Sequence, residues 1–142
     1  MTPDSATAQA DGLEFSISTL GSLLRVLFTN RSDGTLVVYF FVEGPNARHH
    51  DFLTADLTSA GSRSRTLLFT GDRNGSTVGL TTLQAGESIG DDIDLAAWAV
   101  APINGEAPLN PGEYALTATY RVHILAAWTG TLTAGPVRLL VG

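Results

Sequence analysis

The chain contains no cysteine and no lysine, and only 15% of its 142 residues are charged. Without cysteine there is no disulfide framework, no Cys-ligated zinc and no thiol nucleophile, although that absence does not choose a compartment. All 8 basic residues are arginines, set against 14 acidic ones for a formal net charge of −6. A net-acidic chain with no basic stripe is poorly matched to a phosphate backbone, which argues against nucleic acid and anionic lipid as partners. No apolar run approaches the roughly 20 residues of a membrane-spanning helix. The start, MTPDSATAQADG, lacks the basic and apolar regions of a signal peptide. The expectation is a cytoplasmic chain, or a mature extracellular or envelope domain with a replacement Met, in which residues 1–12 form a flexible arm.

What the sequence does hold is 44% hydrophobic residues and 15 glycines, enough apolar material for one core and many tight turns. Residues 13–142 therefore read as a single domain. LEFSIS alternates Leu13, Phe15 and Ile17 against Glu14, Ser16 and Ser18, the period of a half-buried strand. LLRVLFTN and TLVVYFFV follow, separated by RSDG, whose Asp33-Gly34 step predicts a hairpin. FLTADLTSAG is ambiguous between strand and helical turn, whereas RTLLFTG reads as a short strand. In YALTATYRVHI, Tyr114, Leu116, Ala118, Tyr120, Val122 and Ile124 take one face and Thr117, Thr119, Arg121 and His123 the other. The closing WTGTLTAGPVRLLVG changes apolar parity around Gly135-Pro136, which predicts a bulge or a switch of sheet. The rhythm predicts an all-β, immunoglobulin-like antiparallel sandwich of about seven to nine strands.

One stretch spells a catalytic motif. Gly86-Glu87-Ser88-Ile89-Gly90 fits G-x-S-x-G, but a nucleophile elbow needs a helix straight after the serine. Here Ile93, Leu95 and Ala97 continue in strand alternation. LQAGES and LNPGEY share a Leu-x-x-Gly-Glu pattern, so both read as turns into strands. The second turn puts Tyr114 where a tyrosine corner would sit. With no complete nucleophile, base and orienting set, an enzyme is not expected.

Other constellations carry weaker chemistry. His49, His50 and Asp51 are adjacent and, with His123, offer ligand types that zinc accepts, although neighbouring side chains in extended chain point apart. Asp91, Asp92 and Asp94 offer oxygens of the kind calcium needs, but equally suit the start of an exposed strand. No metal or other cofactor is expected. EGPNARHHD, the most irregular polar stretch, makes Asn46, Arg48, His49, His50 and Asp51 candidates for partner binding. Trp98 and Trp128 join them, because an exposed Trp near a loop makes a strong anchor.

The succession LLRVLFTNRSDGTL, FTGDR, LTTLQAGESIGDDIDLAAWA, LNPGEYALTATYRV resembles the β-sandwich region that precedes the catalytic domain in deuterolysin-type metallopeptidases. The ending, from Gly-Glu-Tyr through WTGTLTAGPVRLLV, is also similar to bacterial immunoglobulin-like domains. The resemblance implies a sandwich and, at most, a companion role toward an enzyme, since the His-Glu-x-x-His zinc helix is absent. Three functions are therefore carried forward. They are a non-catalytic protein-interaction module, a protease inhibitor or companion acting through loops 44–51 or 102–111, and a self-assembling envelope or filament subunit. The expected partner is a protein, either a peptidase or the chain itself.

Overall fold

The computed structural model describes residues 3–40, 42–43, 47–48, 50–59, 64–69, 80–123 and 127–142, with side chains left out at 42–43, 47–48 and 50–51. In chain order the strands are β1 (Ser5–Ala10), β2 (Leu13–Leu20), β3 (Leu23–Asn30), β4 (Leu36–Tyr39), β5 (Val42–Glu43) and β6 (Ala47–Arg48). They continue with β7 (His50–Ser59), β8 (Ser64–Phe69), β9 (Leu80–Leu83), β10 (Ser88–Asp94), β11 (Gly112–Val122) and β12 (Gly130–Val141). A short helix, α1 (Leu95–Ala99), and a 3-10 turn (Pro102–Asn104) lie between β10 and β11. The protein is all-β. One antiparallel sheet has the order β1-β2-β3-β10 and the other β12-β11-β7-β8, with β4-β9 and β5-β6 as two-stranded pairs.

Period-2 alternation places the core. Leu13, Phe15 and Ile17 of β2 and Leu24, Val26 and Phe28 of β3 are buried from one sheet. Leu53, Ala55 and Leu57 of β7 and Leu116, Ala118, Tyr120 and Val122 of β11 are buried from the other. The stretch FLTADLTS thus resolves as strand, because its alternate apolar residues meet that core. At its centre Phe28 stacks on Phe15 at 5.0 Å and meets Tyr120 at 4.5 Å, and Tyr120 in turn stacks on Trp128 at 6.0 Å. Burial pushes the Tyr120 hydroxyl well above its ordinary pKa, and that hydroxyl donates to the Tyr39 carbonyl at 2.8 Å.

Four expectations are corrected. Residues 1–12 are not a free arm throughout: Ser5–Ala10 pair with β2 in a full antiparallel ladder, and Ala6, Ala8 and Ala10 pack on the core. Asp11 (φ 48°) and Gly12 (φ 85°) form the two-residue link, the positive-φ pair that a type I′ hairpin requires. Asp33-Gly34 makes no hairpin, for β3 pairs with β2 and β10 while β4 pairs with β9. The two halves, β3-β4 and β9-β10, form one kinked ribbon instead. The strand expected through Ala97 ends at Asp94, whose side chain accepts from the Ala96 and Ala97 N–H groups and caps α1. Finally, EGPNARHHD is not loop throughout, since 47–48 form β6 and 50–51 open β7.

The bulge expected near Gly135-Pro136 is present. Register shifts between Leu116 and Ala118, whose partners are Val137 and Ala134, so Leu132 and Ala134 before it and Val137 and Leu139 after it all face inward.

The β8 edge is covered by the chain segment that follows α1. Asn104 behaves there like a strand residue: its Oδ1 accepts from the Leu68 N–H at 2.8 Å and its Nδ2 donates to the Leu68 carbonyl at 2.8 Å. Nδ2 also donates to the Trp98 carbonyl. Arg65 completes the clamp by donating to the carbonyls of Ala99 and Asn104, each at 2.9 Å. The Leu68 N–H and carbonyl are thereby taken, which blunts this edge as a template for pairing with another chain. Asn104→Ala should lower stability by about 1–3 kcal/mol and raise aggregation, read as an earlier urea midpoint at unchanged slope and more light scattering on warming. A variant with wild-type midpoint and scattering would show that the amide contributes nothing to the edge.

Candidate functional site

Ser88 sits where a tight turn opens into a strand. Residues 84–87 form a tight turn in which the Glu87 N–H donates to the Gln84 carbonyl at 2.9 Å and Gly86 adopts φ 82°. The Glu87 carboxylate accepts from the Gln84 N–H. Ser88 then opens a strand, and its hydroxyl lies 2.7 Å from that of Thr29 across the ladder. His123 follows the end of β11, a strand of the opposite sheet. The G-x-S-x-G spelling is a turn followed by a cross-strand hydroxyl pair.

The aspartates are also divided among separate tasks. Asp92 pairs with Arg25, Nε to Oδ1 at 2.8 Å, and this bond holds the guanidinium above its usual pKa. Asp91 accepts from the Asp92 N–H, and Asp94 is the α1 cap. Among the described residues no three His, Asp or Glu side chains gather to hold a metal ion. Asn46 and His49 lie outside the described residues, as do the side chains of Arg48, His50 and Asp51.

Trp128 is corrected from a candidate anchor to a core residue: it is 6% exposed, stacked on Tyr120, with Nε1 donating to the Ala10 carbonyl at 3.3 Å. Trp98 is half-buried and meets Phe69 edge to face at 5.7 Å. Trp128 is therefore no exposed platform. Ala-Ala pairs precede both, and that spacing carries no information about which way the ring turns.

A concave feature of the surface lies at one end of the sandwich, where loop 102–111 passes to β11. A groove of about 620 Å³ opens between residues 107–114 and the facing ends of β7 and β8. Leu57, Leu109, Pro108, Pro111 and Tyr114 give it apolar walls, and Ser59, Ser64, Arg65 and Glu113 give it a polar rim. Two prolines fix the backbone of one wall. The Tyr114 hydroxyl donates to the Asn110 carbonyl at 2.7 Å and pins the loop to the start of β11, the bond of a tyrosine corner. Arg65 and Asn104 fasten the other end of the loop to β8. Tyr114 and loop 102–111 were visible in the sequence. Arg65 and Asn104 were not, since their partners are backbone atoms 34 to 39 residues away.

Among the described residues no helix is long and apolar enough to cross a membrane. No protein-family model matches the chain, and no curated protein matches it.

Proposed function

We infer that this chain is a non-catalytic protein-interaction module, an immunoglobulin-like sandwich that engages its partner at the end where loop 102–111 meets the β7 and β8 termini. The fold reading draws on the two sheet orders, on the crossover from β10 to β11, and on the tyrosine corner at the start of β11. The observation that carries the functional reading is the groove itself. Its proline and leucine walls are held by Arg65, Asn104 and Tyr114 before any partner arrives, so little ordering cost falls on binding. Loops at the end of a sandwich are also where such folds bind.

The peptidase-companion reading uses the same loop and draws support from the same fastening, because inhibitors that insert a loop gain from holding it rigid. Self-assembly by a donated N-terminal arm draws none, since Ser5–Ala10 already fill a place in their own sheet.

The test is a pull-down from extract and culture medium with the purified chain and with a Pro108→Arg/Glu113→Arg double variant, both positions being exposed rim or wall. The expected result is a stoichiometric protein recovered by the wild type and reduced about tenfold or more by the variant. A peptidase in that position would select the companion role. Equal recovery by both forms would place the binding surface elsewhere and overturn the groove reading.

A further inference from the structure

The outer face of the β12-β11-β7-β8 sheet carries a second concave feature. Phe52, Thr54, Asp56, Thr119, Arg121 and His123 line a shallow cup of about 370 Å³. Register explains why they meet: Thr119 faces Thr54 on β7 and Thr133 on β12, and Arg121 faces Thr131. This cup lies toward the far end of β11 from Tyr114, with Arg121 roughly 23 Å along the strand from that residue at strand rise.

Arg121 stands apart from the other arginines whose side chains are described. Arg25, Arg31 and Arg138 pair with Asp92, Glu14 and Asp4, and Arg65 binds two carbonyls. Among the described residues Arg121 makes no ion pair and no hydrogen bond, although it is exposed in the middle of a sheet face. His123, two residues on, touches Phe52 ring to ring at 5.3 Å and 88°, and its nitrogens have no partner among the described residues. Asp56 shares the cup without pairing to Arg121, and its Oδ1 accepts from the Thr66 hydroxyl at 2.5 Å.

We propose that this cup binds the carboxylate-bearing ring of an acidic saccharide. The planar guanidinium of Arg121 presents a fork of N–H donors that matches a carboxylate in two parallel bonds. Thr54 and Thr119 each offer a hydroxyl that donates and accepts, and the second oxygen of Asp56 accepts; together they suit the hydroxyls of a sugar ring. Phe52 and His123 supply apolar ring surface for the sugar's C–H face, the mixture of aromatic wall and few polar groups found in small-molecule sites. The net charge of −6 and the carboxylate of Asp56 repel polyanions, so the ligand carries a single negative charge among neutral hydroxyls.

The site is independent of the loop groove, and the experiment separates them. Amide and arginine Nε–H signals of the intact protein are followed by NMR during titration with glucuronate, glucose and acetate, using wild type, Arg121→Gln and Arg121→Lys. Glucuronate is expected to move the signals of Thr119, Arg121 and His123 and to leave those of Leu109 and Tyr114 still. Glucose and acetate are each expected to bind about tenfold more weakly or worse, as is glucuronate to Arg121→Gln, with Arg121→Lys restoring only part. Because Arg121 is exposed and unpartnered among the described residues, unchanged signals elsewhere will show that the variants fold. Equal shifts with acetate and glucuronate would reduce the cup to an anion patch and overturn the saccharide assignment. No shifts, or shifts that survive in Arg121→Gln, would overturn the site altogether.

Discussion

Trp128→Ala is expected to cost about 3–5 kcal/mol of folding stability, whatever it does to binding. The indole is 6% exposed and stacks on Tyr120, which itself contacts Phe28 and Phe15, so truncation opens a void against the largest rings in the core. It also removes the donor to the Ala10 carbonyl at the end of β1. Because the Trp128 N–H donates to the Val37 carbonyl at 2.7 Å, the residue joins β4 to the β12 side of the fold as well. Trp128→Phe should lose less, since it keeps most of the ring volume and gives up the Nε1 bond. The check is urea unfolding followed by circular dichroism: a midpoint shift for the alanine variant several times that for phenylalanine supports the core role. A Trp128→Ala protein as stable as wild type, yet unable to hold a partner, would return Trp128 to the binding surface.

The strands that were legible in the sequence are those whose two faces differ strongly in chemistry. In β11, large apolar residues alternate with Thr and Arg, and the structure buries Leu116, Ala118, Tyr120 and Val122. The β12 bulge was legible for the same reason, because a slip of one residue would have turned Val137 and Leu139 outward. In β1 the inward residues are Ala6, Ala8 and Ala10, whose methyl groups barely differ in hydropathy from Ser and Thr neighbours. The strand exists because β2 offers it a ladder, a tertiary cause with no local signature beyond Asp11-Gly12. Likewise Leu95–Ala99 fits a strand period until the Asp94 cap is recognised.

The candidate sites were less legible still. Loop 102–111 announced itself by Pro and Gly, but its fastening depends on Arg65 and Asn104 reaching backbone groups far away in sequence. Arg121 looked like one more residue on a polar strand face. Its distinction is the absence of a partner among the described residues, and a pairing can be judged only when the strands beside it are known.

Asn30 shows the same limit most sharply, and its substitution should be nearly as costly as that of Trp128. The residue is fully buried at the kink where the β3-β4 and β9-β10 ribbon bends. Its backbone N–H donates to the Glu87 carbonyl, and its own carbonyl accepts from the Gly86 N–H. Its Nδ2 donates to the carbonyls of Gly34 (2.7 Å) and Leu83 (3.0 Å), while Oδ1 accepts from the N–H (2.9 Å) and hydroxyl (2.6 Å) of Ser32. All four side-chain hydrogen-bonding positions of the amide are thereby used. This is why residues 31–35 form no hairpin: the side chain, rather than a facing strand, takes up the turn's polar groups. Asn30→Leu removes the Nδ2 donor to the buried Leu83 carbonyl and strands the other polar groups of the turn, and a loss on the order of 3 kcal/mol is expected. Asn30→Asp goes further, because it turns an oxygen toward two carbonyl oxygens. Ionisation is opposed there by burial and by those dipoles, so the folded pKa of the new carboxyl lies above the unfolded value of about 3.9. The folded state then holds the proton more tightly than the unfolded state. Stability of Asn30→Asp relative to wild type should therefore be greatest below about pH 4 and fall as pH rises through the folded pKa. Urea midpoints of both proteins from pH 3 to 8 test this, and a constant difference between them would mean that the introduced carboxyl has left the kink for water.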